Sequence, residues 1–81
     1  MTYWATLFYA GQVVLTLGFE GDIGKANCEA LIEVMMDDIS TVYSDPVTKA
    51  EVEASMFPKQ EEFKAECLDY KPEIADQYVS K

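Results

Sequence analysis

From Thr2 to Phe19 the chain reads TYWATLFYAGQVVLTLGF without one charged side chain, and all 15 carboxylates and all 6 lysines follow it. Such a run can cross a membrane, serve as a signal peptide or line the inside of a fold. A membrane helix takes about 20 apolar residues in succession. Here Gly11-Gln12 interrupts the run, and Thr2, Thr6 and Thr16 dilute it. No lysine or arginine precedes it and no A-x-A-like site follows. Neither membrane insertion nor export is therefore expected. Its Tyr, Trp, Phe, Val, Leu and Thr suit a pleated surface instead.

A hairpin accounts for the run. Gly11-Gln12, with glycine first, predicts a type II′ turn. That register sets Ala10 opposite Val13, Phe8 opposite Leu15, Thr6 opposite Leu17 and Trp4 opposite Phe19. These residues share one face, the expected core, because side chains alternate along a strand. Tyr3, Ala5, Leu7, Tyr9, Val14, Thr16 and Gly18 share the reverse face. It too is apolar, so a second layer or a dimer partner is expected to cover it. A three-residue turn would exchange the faces.

After the break at Glu20-Gly21-Asp22, Asp22 is the expected N-cap of a helix reaching about Tyr43. Cys28, Leu31, Ile32, Met35, Ile39 and Val42 form its apolar stripe, with Glu29, Glu33 and Asp37 on the other side. Ser44-Asp45-Pro46 stops that helix and starts another, Asp45 as cap and Pro46 at the first position. The second helix is expected over 46–57, before Pro58. The alternation in FKAEC predicts a third strand over 62–69, closed by Pro72. The tail from Glu73 to Lys81 reads as a single turn or frayed chain. The order is ββαβ. The expected fold is α+β: a small antiparallel three-stranded sheet, an N-terminal β-hairpin, one long amphipathic helix on one face, and a short second helix in the crossover. One domain spans 1–81, as so short a chain implies.

Charge narrows the function classes. The net charge of -9 repels phosphates and anionic lipid heads, so neither nucleic acid nor a membrane is an expected partner. All cations are lysines, which leaves no bidentate fork for phosphate or guanine. There is no histidine. A cysteine nucleophile then lacks its usual base and a zinc site lacks ligands. The Asp37-Asp38-Ile39-Ser40-Thr41 stretch lacks the glycine of a calcium loop. No catalytic residue, metal or cofactor is expected, and the chain reads as a non-enzyme.

Three features remain as candidates. Glu29, Glu33 and Asp37 recur every four residues, a row of negative charge about 12 Å long on a helix. With Asp38 they form the expected contact surface for a basic partner, the alternative being a plainly solvated helix face. Tyr3 and Tyr9 on the less buried hairpin face are the expected aromatic anchors. Met36, at the edge of the apolar stripe, suits contact through its flexible thioether. Cys28 and Cys67 both point toward the core. They are either bridged or reduced and buried, and a cytoplasmic setting favours thiols.

The charge-free hairpin, the ANCEALIE helix start and the FKAECLDYKP stretch together resemble the small acidic orphan proteins of tailed bacteriophages. That resemblance implies an inhibitor of a host enzyme or of a bacterial defence system, acting in the bacterial cytoplasm; the acidic row adds the expectation that the surface it occupies is basic, of the kind that binds nucleic acid. The alternative is a homodimeric structural protein joined through the exposed hairpin face.

Overall fold

A computed structural model describes residues 1–78. The charge-free run folds as β1 (Thr2–Tyr9) and β2 (Gln12–Glu20), an antiparallel pair. The turn lies one residue earlier than expected. Tyr9 pairs with Gln12, and Ala10 and Gly11 both take positive φ, 51° and 78°, the pattern of a type I′ turn. The register then shifts by one residue between Leu7 and Phe8, with Val14 as the extra residue of β2. Beyond it Leu7 faces Leu15, Ala5 faces Leu17 and Tyr3 faces Phe19. The expected pairing of Trp4 with Phe19 and Phe8 with Leu15 is thus replaced, and β1 presents its odd residues to the core.

Size explains that choice. After β2 comes α1 (Gly24–Ser44), which packs across β1 and the third strand β3 (Phe63–Leu68). Ala5 sits fully buried against Cys28 of α1, where a small side chain permits close approach. Trp4 instead lies on the opposite face over Gly18. A Cβ added at Gly18 would come within 2.9 Å of its ring. The sheet order is β2-β1-β3, with β3 antiparallel to β1 from Trp4/Leu68 to Tyr9/Phe63. An α+β fold with an N-terminal hairpin, a three-stranded antiparallel sheet and a long helix is what the pattern implied.

The helix ends differ in how they are made. Asp22 does not cap α1; Ile23 holds that position and no side-chain cap forms. The start is set by packing, since a Cβ on Gly24 would come within 2.7 Å of the Phe19 carbonyl oxygen. By contrast, Asp45 caps α2 (Pro46–Glu53) as expected, its carboxylate accepting from the Val47 N–H at 2.8 Å. This helix stops four residues short of the expected end. Phe57 turns inward instead, to meet Tyr9 and Phe63 at ring-centroid distances of 5.1 and 5.3 Å.

The interior has two clusters. Ala5, Cys28 and Met35 form one, bordered by Tyr3, Phe19, Leu31, Ile32, Ala65 and Cys67. Cys28 and Cys67 are joined in a disulfide, with Cα atoms 6.0 Å apart. The expectation that leaned toward reduced thiols is corrected here: the helix stripe and the strand parity bring both sulfurs to one point. Tyr9, Tyr43 and Phe63 form the second cluster. The Tyr43 hydroxyl donates to the Phe57 carbonyl at 2.5 Å, and the Tyr9 hydroxyl accepts from the Lys59 N–H at 3.0 Å. Burial, then the nearby Tyr9, Glu53 and Glu61, pushes the Tyr43 hydroxyl above the usual tyrosine pKa.

The tail covers the sheet face that α1 leaves open. Lys71 Nζ lies 5.5 Å from the centroid of the Trp4 ring. Pro72 and Ile74 come beside Thr16, and the Ala75 N–H donates to the Val13 carbonyl at 3.0 Å. Gln77 bonds Gln12, and Tyr78, in the short 3₁₀ turn Asp76–Tyr78, stacks on Phe57. Thr6 on this face is fully buried, its hydroxyl 2.9 Å from that of Thr16. Of the two readings of the tail, a single turn or frayed chain, the turn is present at Asp76–Tyr78, and residues 79–81 lie outside the described residues.

Candidate protein-docking surface

Because α1 lies over β1 and β3, each flank of the helix overlooks a different edge of the sheet. The β3 flank carries the acidic row. Glu29, Glu33 and Asp37 are all exposed, as the four-residue spacing predicts for one side of a helix. Glu33 and Asp37 border a depression of about 380 Å³ completed by Ile32, Met36 and Ala65. A neighbouring depression of about 500 Å³ continues past Met36 to Ile39, Ser40, Gln60, Glu61 and Phe63. Met36 lines both, so the two adjoin as a groove along α1 and β3 with its exposed side chain between them. Its middle is a flexible thioether and its rims hold carboxylates.

Asp38 does not join this row. It lies on the β2 flank, at an apolar depression of about 230 Å³ lined by Leu7, Val14, Val42, Val52 and Phe57 among others. Adjacency in sequence grouped Asp37 with Asp38, and the 100° turn per residue separates them. The tyrosine anchors also need correction. Tyr9 is 7% exposed, its ring edge-on to Phe57 and Phe63 and its hydroxyl satisfied, so it is a core residue. Tyr3 is half-buried against the disulfide cluster. The expected two-residue Gly11-Gln12 turn puts both on the outer hairpin face, and the observed register turns that face inward.

Sequence reasoning placed Met36 at the stripe edge. It missed Ala65 and Glu61, which reach the groove only because β3 and the 3₁₀ turn Gln60–Glu62 lie beside α1. No local signal marks them. On the far side of β3, Glu62, Lys64 and Glu66 surround a further depression of about 300 Å³ with Phe8 and Gly11.

Among the described residues no group of three or more Cys, Asp or Glu side chains is placed to hold a metal ion. No helix of the described residues is long and apolar enough to cross a membrane. No family model, curated protein or solved structure matches the chain.

Proposed function

We propose that this chain is a non-catalytic binding module that docks on a basic surface of a partner protein. One observation carries the reading: exposed Glu33 and Asp37 rim a groove whose apolar lining is Ile32, Ala65 and the exposed Met36. Carboxylates around such a groove speed encounter and select a cationic partner, while the apolar lining supplies contact area. The resemblance to small phage proteins points to a host protein as the partner, and the acidic row to blockage of a basic, nucleic-acid-binding surface as the outcome. Capture from bacterial lysate tests it. The native chain is expected to retain proteins that the Glu29→Lys/Glu33→Lys/Asp37→Lys variant loses, with association slowing steeply as salt rises. Recovery of the same proteins by both baits overturns the reading.

A second reading rests on β2. Leu15 and Leu17 are 39% and 45% exposed on an outer strand that carries no charge before Glu20. Such an edge favours self-pairing into a dimer. Sedimentation separates the readings, because apolar dimerisation tightens in sulfate whereas docking on a cationic partner weakens.

A further inference from the structure

β3 is an outer strand whose one neighbour among the described residues is β1. One row of its backbone N–H and C=O groups therefore faces outward, a template for another strand. The opposite edge is occupied at its turn end, where the Ala75 N–H bonds the Val13 carbonyl of β2. Among the described residues the Phe63 N–H bonds the Gln60 carbonyl, and no loop or tail backbone bonds to Lys64–Leu68.

The groove described above runs along this open edge. Ala65 and Phe63 form its strand side, while Ile32, Met36 and Ile39 form its helix side. Side chains of an added strand alternate between faces. Those pointing toward α1 would enter the groove over Met36; those pointing away would meet Glu62, Lys64 and Glu66.

Charge selects the occupant. The groove and the edge carry Glu33, Asp37, Glu61, Glu62 and Glu66 against the single cation Lys64. A second copy of this chain, at net charge -9, is a poor match for that rim. A lysine or arginine suits it well. Its aliphatic stem can lie on Met36 and Ile32 while the cationic head meets Glu33 and Asp37. The six residues of β3 span about 20 Å, which sets the length of the contact.

We infer that the partner contributes an extended segment alternating basic and apolar residues, which adds to β3 as a fourth strand and buries its inward side chains in the α1/β3 groove. This rests on the docking reading and names its mode. Main-chain bonds hold such an added strand, and alternate side chains give selectivity.

The test uses a fluorescent peptide of about seven residues alternating lysine and valine, a length matched to β3. A second peptide is identical but N-methylated at alternate amides. It keeps the charge and loses the donors of one edge. The unmodified peptide is expected to bind about tenfold tighter or more, since several backbone bonds are at stake. It is also expected to slow hydrogen exchange of β3 amides. Equal affinities that both fall with salt overturn strand addition and leave charge-led docking standing. Affinities indifferent to salt overturn both. A Met36→Lys variant, which places a cation in the middle of the groove, is expected to weaken the unmodified peptide while leaving the fold's circular dichroism unchanged. Undiminished binding by that variant removes the groove from the interaction.

Discussion

The two clusters under α1 solve one problem by different means. Near Cys28 the side chains are small, so helix and sheet approach closely and a covalent bridge joins them. Near Tyr43 the side chains are aromatic and more widely spaced. Rings meet edge to face, Tyr9 with Phe63 at 4.8 Å, and the buried hydroxyls bond loop backbone. Cys28 and Tyr43 lie 15 residues apart, about 22 Å along the helix, so each cluster pins one half of α1. A domain of 81 residues has too little interior to stabilise itself by burial alone with much margin. The contrast teaches that where side chains are too small to bury much area, a crosslink substitutes, and where area suffices, polar tips must be satisfied instead.

Removing the crosslink should give the largest effect. It closes a loop with a sequence separation of 39, for which chain entropy contributes about 3–4 kcal/mol. Urea unfolding with and without reductant measures it, and native-state hydrogen exchange should show the first turns of α1 loosening before the Tyr43 end. Uniform loosening would mean that the clusters do not act separately.

Tyr43→Phe attacks the other half. It leaves the Phe57 carbonyl without its donor, at a cost of about 1–2 kcal/mol. The same hydroxyl sets a pH response. Its folded pKa is raised, so its contribution is complete below the unfolded value of about 10 and declines as pH rises above it. The native chain should lose stability in that alkaline range more steeply than Tyr43→Phe; parallel curves would exclude Tyr43 as the source.

The smallest effect is a gain at the hairpin tip, beside the aromatic cluster. Exposed Ala10 holds a left-handed backbone at φ 51° that asparagine adopts more readily before glycine. Ala10→Asn should stabilise the fold by about 0.5–1 kcal/mol. A loss of stability in urea would argue for the later turn that Gly11-Gln12 suggested.

Much of the fold was legible because its signals are local. The apolar stripe of α1, the Asp45-Pro46 helix start, and the alternation around Phe63 each depend on neighbours in sequence. The α1/β3 groove was half legible: the acidic row follows from four-residue spacing, whereas Ala65 and Glu61 enter it through contacts between distant segments.

Composition and periodicity by themselves determined the element order, the helix stripe, the anionic surface and the convergence of Cys28 and Cys67 on one core. Tertiary structure decided which face of β1 turned inward, how Asp37 and Asp38 parted, and what the tail covered. The reason is physical. A strand apolar on both sides has a two-residue period that reads equally well in either parity. Only the close seat of α1 on Ala5, with Trp4 displaced onto Gly18, distinguishes the two.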